Sequence, residues 1–470
     1  MPVRPVQGER IVSADTARRG LGLKRLGNNA GMTFAANLAA GMIGFGLSIL
    51  LTRGLGTQGL GTYALALLLP NTMVLLLEFG ITYANVYHLG RGDVNAREVM
   101  RANLWIWGFV TVIGLVAAGA IIFFMGATWF PGIPSTLMIV AVLSFPPNLL
   151  QFYCRSILQG HQDFRRYNYL TIIVQLTTFV LSAVLILGFH LGVGAALGAF
   201  LLGQLLSLLF TVIALAPYLK KAPKGEVREH WWNYGKHAIS YGWKQHLGAV
   251  AAFVNYRVDL FFVNLLISPA TAGVYYIAIQ LGEGMWMISK VVSTVLLPRL
   301  AELHGEEQTR LELTPLITRL VFSLTFAGAV VVGVLSPWIV RLWGPGASKA
   351  AIVLVWLLPG IVMGAATRII AYDFSARGKP IYNSYLSIVV MVINIVANVI
   401  LIPRLGVIGG AISTTIAYSV NSVATAVLYR RFSDLPTWKL FVIQRADFAL
   451  LAEAGSLAVK RLRRREDDRG

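Results

Sequence analysis

The chain has 470 residues, 56% of them hydrophobic and only 13% charged, with a mean hydropathy of +0.67. Soluble domains carry roughly 25% charge, so there is too little polar surface here to cover a water-soluble globule. One cysteine, Cys154, excludes an intrachain disulfide, and a net charge of +19 is explained by where it sits rather than by nucleic acid.

Residues 1–29 are polar and basic, and the apolar run after them is too long for a cleavable signal, so the first span is expected to be retained. A spanning helix needs about 20 mostly apolar residues. Such segments fall at 31–52, 62–87, 103–125, 135–157, 169–189, 192–216, 238–267, 271–298, 318–340, 350–372, 382–402 and 405–429. The expected fold is therefore an all-α integral membrane protein of about twelve transmembrane helices. A basic tail (1–30) precedes an N-lobe of spans 1–6 (31–217). A linker (218–237) leads to a C-lobe of spans 7–12 (238–430), followed by a second tail (431–470).

Lysine and arginine alternate between loops. The N-terminal tail, loops 88–102, 158–168, 217–237, 299–317 and 373–381, and residues 430–470 carry most of them. The opposite loops hold only Arg53, Arg341, Lys349 and Arg404. The positive-inside bias then places the basic face, with both termini, in the cytoplasm of a cell whose inner membrane the chain spans. Residues 437–463 mix Trp438, Leu440, Phe441, Phe448 and Leu451 with Lys439, Arg445, Asp447 and Glu453. Charge at that density disfavours spanning. The expectation is an interfacial amphipathic helix, with a solvated tail as the alternative. The basic cluster at Lys460–Arg465, like the N-terminal tail, suits anionic headgroups.

The halves repeat. Residues 55–66 (LGTQGLGTYALA) align without gaps on 267–278 (ISPATAGVYYIA), pairing Gly61 with Gly273, Tyr63 with Tyr275 and Ala66 with Ala278. Tyr167-Asn168 precedes a span followed by Leu191-Gly192-Val193, and Tyr382-Asn383 precedes one followed by Leu405-Gly406-Val407. The offsets are nearly constant, so the repeats are parallel, related by an axis along the membrane normal.

RGLGTQGLGTYALA (53–66), ILQGHQDFRRYNYL (157–170), Tyr256-Arg257-Val258-Asp259 and LLPRLAEL (296–303) resemble the polysaccharide and O-antigen flippases, a family of the multidrug, oligosaccharidyl-lipid and polysaccharide exporter superfamily. The resemblance covers roughly residues 30–430. It implies two six-helix lobes around a central cleft and translocation of a polyprenyl-pyrophosphate-linked glycan between leaflets by alternating access. Lipid II flippases of the superfamily often have fourteen spans, so twelve favours the polysaccharide branch.

Ionisable residues inside spans are costly and usually face a cavity or a partner. In span 2, Asn71, Glu78 and Asn85 recur every seven residues; in span 8, Tyr276, Gln280, Glu283, Met287, Lys290 and Thr294 recur at intervals of three or four. Both patterns put polar groups on one helical face. The repeat offset of 212 lays Glu78 on Lys290, so both stripes are expected to line the inter-lobe cleft, helix–helix polar contact being the alternative. Arg257 near mid-membrane suits bidentate phosphate binding, or else pairs with Glu78 or Glu283. Arg368 is the next phosphate candidate. Substrate contacts are thus expected from Arg257, Lys290, Arg368, Asn71, Gln280 and Tyr276. Coupling to a proton or sodium gradient would use Glu78, Asp259 or Glu283. Neither a catalytic group nor a bound metal or cofactor is expected, and there is no P-loop. The partners expected are the lipid-linked glycan, membrane lipids and other polysaccharide-assembly membrane proteins. A small-molecule or drug exporter is the second reading, and a membrane glycosyltransferase or glycan polymerase the third.

Overall fold

The structure, a computed structural model, describes residues 7–222, 231–287, 289–290, 292, 307–379, 381–433, 435–444 and 447, with side chains from residue 31 onward except 231, 244 and 245. All regular elements among them are helical. The helix α1 (Gln7–Leu77) is two limbs meeting at Gly56, whose φ of 73° lies in the left-handed region. After α2 (Ile81–Arg91) come α3 (Ala96–Trp129) and α4 (Ser135–Gly160). The N-terminal half closes with α5 (Phe164–Gly188) and α6 (Val193–Lys221). The second half holds α7 (Trp231–Leu266), α8 (Pro269–Met285), α9 (Glu307–Val340), α10 (Ala350–Ala376), α11 (Ile381–Leu405) and α12 (Val407–Tyr429).

Ten helices among the described residues are long and apolar enough to cross a membrane. That is two fewer than expected, and both differences have a local cause. The stretch 31–77 counts once although it bends at Gly56. The seventeen residues of α8 run into a region outside the described residues. One expected span meets the backbone differently. Span 2 is not one helix: α1 ends at Leu77, Phe79 and Gly80 adopt φ of 51° and 71°, and α2 starts at Ile81. The helix α4 is also interrupted, at the turn 143–144, just before the paired prolines Pro146-Pro147. Pro359 lies inside an unbroken α10.

The repeat is visible in the chain. Gly192 and Gly406, matched in sequence, precede the first turns of α6 and α12. Gly61 and Gly273 touch each other. A Cβ on Gly61 would fall 1.9 Å from the Pro269 carbonyl oxygen, and one on Gly273 would fall 1.9 Å from that of Thr57. Only glycine lets two backbones approach so closely. Here the second limb of α1 crosses α8, joining the lobes on the face opposite the basic one. Nearby, Trp343 Nε1 donates to Ser48 Oγ at 3.0 Å and Arg53 Nε to the Leu342 carbonyl at 2.7 Å.

On the basic face the lobes meet again. The first turns of α7 lie on α2 and α3. Gly80 and Gly242 pack backbone to backbone, Tyr234 donates to Asn85 at 2.7 Å, and the rings of Tyr87 and Tyr241 stack at 4.7 Å. Of the expected linker 218–237, α6 takes in residues up to Lys221, α7 is described from Trp231 onward, and 223–230 lie outside the described residues.

Residues 437–444 and 447 dock under the C-lobe. Thr437–Leu440 form one 3₁₀ turn, Leu440 is buried, and Phe441 packs edge-on to Phe322. Asp447 accepts from Arg319 Nε at 2.7 Å, both side chains being buried. The expected interfacial helix thus begins as a docked segment; its continuation, 448–463, lies outside the described residues. Burial would raise the Asp447 carboxyl, but hydrogen bonds from Arg319 and from the Gln444 backbone N–H outweigh it and hold the group below the usual carboxylate range. A carboxylate with a lowered pKa stabilises the fold above its unfolded value, about 3.9, and loses that contribution as pH falls through the lower folded value.

Two outcomes follow. Gly273→Val should pry α8 from α1, so that a cysteine placed at Ser48 in a Cys154→Ser background reacts several times faster with an impermeant maleimide; an unchanged rate would contradict the packing. Asp447→Asn strips a buried guanidinium of its partner, a loss of roughly 3–5 kcal/mol where such pairs are fully buried. It should expose the C-terminal segment to protease at neutral pH, where the wild-type segment resists.

Candidate functional site

Between the two sets of inter-lobe contacts lie two adjoining cavities. One, of about 360 Å³, is walled by Asn71 and Glu78 from α1 and its exit, Asn148 from α4, Arg257 from α7 and Tyr276 from α8. The other, of about 580 Å³, runs from Tyr63 and Asn71 along the first limb of α1 to Thr33, with Gln280, Glu283 and Lys290 on its far wall. Asn71 and Tyr276 line both. Asn71 and Glu78 of one stripe and Tyr276, Gln280, Glu283 and Lys290 of the other therefore line the same pair of cavities, because the Gly61–Gly273 crossing fixes the rotation of both helices.

Arg257 and Glu283 form a paired contact, Nη1 to Oε1 at 3.1 Å and Nη2 to Oε2 at 3.4 Å. Both remain about one-third exposed to the cavities, at 32% and 27%. The partner of Arg257 is thus Glu283 rather than Glu78. Glu78 instead accepts from the Thr82 hydroxyl, one turn into α2. The break at Phe79-Gly80 puts that carboxylate at the end of a helix, facing the cavity.

Other expected residues lie elsewhere. Asn85 leaves the stripe: beyond the break its side chain is fully buried against Asn103, Ser156 and Tyr234. Asp259 does not reach the cleft; it is buried within the C-lobe, accepting from Tyr275 at 2.7 Å, Thr414 at 2.8 Å and the Leu260 backbone N–H. Arg368 stands behind the cleft wall with its guanidinium 4.1 Å from the Trp286 ring centroid, a cation–π contact. Lys290 is exposed in the larger cavity. The carbonyl oxygen of Gln280 is buried without a partner among the described residues.

Sequence reasoning missed Asn148, Thr171, Gln175 and Thr178. The last three recur at intervals of four and three along α5, the same signal used for span 8, but no charge among them drew notice. Among the described residues no three His, Cys, Asp or Glu side chains cluster as a metal site.

Residues 50–343 match the sequence pattern of a family described as polysaccharide biosynthesis proteins. The chain belongs to this family. A curated relative, the probable low-salt glycan biosynthesis flippase Agl15 of Haloferax volcanii, is 21% identical over 264 residues, 54% of this chain and 53% of its own. The match spans about half of that relative's length. Among solved structures, the lipid II flippase MurJ in an inward closed conformation superposes with a TM-score of 0.69 at 15% identity, covering 87% of this chain and 88% of that one. An outward-facing multidrug resistance MATE transporter of the MOP superfamily reaches 0.64 at 18%, covering 87% and 96%. These likenesses establish the fold shared by MurJ and the MATE transporters in a multi-pass membrane protein of the polysaccharide biosynthesis family.

Removing one member of a paired charge leaves the other desolvated without compensation. Arg257→Ala should therefore lower the thermal unfolding midpoint of the purified protein, and the double variant Arg257→Ala/Glu283→Ala should recover part of the loss. Additive losses would show that the two side chains act independently.

Proposed function

We propose that this protein is a flippase that moves a polyprenyl-pyrophosphate-linked oligosaccharide from the inner to the outer leaflet of the cytoplasmic membrane, for O-antigen, capsule or exopolysaccharide synthesis. The observation that carries this reading is the larger cavity. It lies between the lobes, extends toward the basic face, and presents Lys290 and the open amide of Gln280 at its wall. A cation inside an apolar helix bundle suits an anionic headgroup, while the polyprenyl chain stays in lipid. The lysine and arginine asymmetry supports cytoplasmic termini. In this reading the chain crosses twelve times, the two limbs of α1 counting separately, the second completed by α2, and α8 counting as one.

In this reading the lobes rock about the cleft, parting at the Gly61–Gly273 crossing on one face and at the Gly80–Gly242 contact on the other. The first phosphate contact is Lys290. Arg257 takes over when Glu283 is displaced, and Arg368 supplies the positive field behind Trp286. Of the three candidate carboxylates, Glu78 is best placed to carry a coupling proton, because it faces the cavity while Glu283 is ion-paired and Asp259 is enclosed. The relatives are flippases and transporters, which fits movement of a substrate rather than its chemical conversion.

The multidrug fold neighbours keep a small-molecule exporter as the second reading. In proteoliposomes, the wild-type chain should expose a lipid-linked oligosaccharide to an external lectin. Lys290→Gln should slow that exposure about tenfold, the loss of one charge-assisted hydrogen bond. Efflux of cationic dyes without lipid translocation would favour the exporter.

A further inference from the structure

A third cavity lies outside the phosphate-binding residues just assigned. It has a volume of about 410 Å³ and opens between α2, α4, α5 and the first turns of α7. This falls within the roughly 300–1,000 Å³ of small-ligand sites. Glu78 and Phe152 belong to its wall and also to that of the 360 Å³ cavity, so the two spaces adjoin at the helix break.

Its lining is unlike that of the central cleft. Tyr83, Tyr87 and Tyr241 present partly open rings, 43%, 38% and 37% exposed. Tyr87 and Tyr241 stack nearly parallel, 19° apart, although they come from different lobes. Flat aromatic faces receive the C–H faces of sugar rings, and their hydroxyls serve as polar handles. Opposite them stands a polar edge. Arg155 is fixed by donating Nη2 to the Tyr167 carbonyl at 3.2 Å, with its guanidinium 4.3 Å from the Tyr167 ring centroid. Its Nε is buried without a hydrogen-bond acceptor among the described residues. Nη2 also donates to the Thr171 hydroxyl, so the guanidinium is held in place in the cavity wall. Glu78 and Gln159 add an acceptor and an amide on the same wall. A guanidinium, a carboxylate and an amide around one small space are the donor and acceptor set that neighbouring sugar hydroxyls satisfy together.

We propose that this cavity is the sugar subsite of the transported headgroup, holding the glycan segment next to the pyrophosphate between the tyrosine faces and the Arg155–Glu78–Gln159 edge. The proposal rests on the flippase reading and adds where the glycan sits. Because the stacked pair takes Tyr87 from one lobe and Tyr241 from the other, parting of the lobes on the basic face would open the subsite, and closure would complete it. Tyrosines serving only as interfacial anchors would hold headgroups of any kind alike.

The test uses the full-length protein in nanodiscs and two probes, undecaprenyl diphosphate and the same lipid carrying a trisaccharide. Wild type is expected to bind the trisaccharide lipid the more tightly. Tyr83→Ala and Gln159→Ala, both partly exposed and so tolerant positions, should weaken it about tenfold and leave the bare diphosphate unchanged. Lys290→Gln should weaken both probes equally. Equal wild-type affinity for the two probes, or equal weakening of both by Tyr83→Ala, overturns the sugar subsite but leaves the flippase reading standing. Failure of wild type to bind either probe overturns that reading and the subsite with it.

Discussion

The whole arrangement depends on one close approach. At Gly61 and Gly273 two helices from different lobes cross with their backbones in contact, at positions related by the internal repeat. A side chain at either position would overlap a carbonyl oxygen of the partner. This contact sets how near α8 lies to the second limb of α1 and how each helix is turned. That rotation carries Asn71 on one helix, and Tyr276, Gln280 and Glu283 on the other, toward the same space. A glycine pair, having no side chains to interlock, also leaves a surface that can separate cleanly, as the proposed rocking of the lobes requires.

The second constraint is the break between α1 and α2. Phe79 and Gly80 take left-handed backbone angles, costly for phenylalanine and free for glycine. The break ends the stripe at Glu78 and turns Asn85 into the N-lobe. It also lets Gly80 pack against Gly242, so that the start of α7 crosses onto the opposite lobe. A buried ionisable group at a broken helix lining a cavity is where a membrane protein tolerates irregular backbone.

Much of this was legible in the sequence, for identifiable reasons. Hydropathy sets spans because a bilayer leaves the backbone no other partner, and glycine spacing revealed the repeat because close approach has no substitute residue. The stripe of span 8 was readable since its helix is regular. Span 2 was misread beyond Glu78, because periodicity assumes an unbroken helix. Asp259 was placed with the cleft carboxylates on composition alone. Its acceptor role toward Tyr275 and Thr414 depends on residues 16 and 155 positions away in the chain. The aromatic cavity was invisible for the same reason: Tyr87 and Tyr241 are neighbours only after the lobes assemble.

The proposed transport requires the two lobes to part on the face opposite the basic one. Thr57 and Gly346 come from different lobes there, and a Cβ on Gly346 would lie 3.6 Å from Thr57 Cγ2 and 3.9 Å from its Oγ1, the two places a cysteine sulfur at position 57 can take, so cysteines at the two positions come within reach of a disulfide. With Cys154→Ser as background, a Thr57→Cys/Gly346→Cys protein should cross-link on oxidation and lose translocation of lipid-linked oligosaccharide in proteoliposomes. Reduction should restore it to the unlinked rate. A fully cross-linked protein that still translocates at that rate would contradict the account.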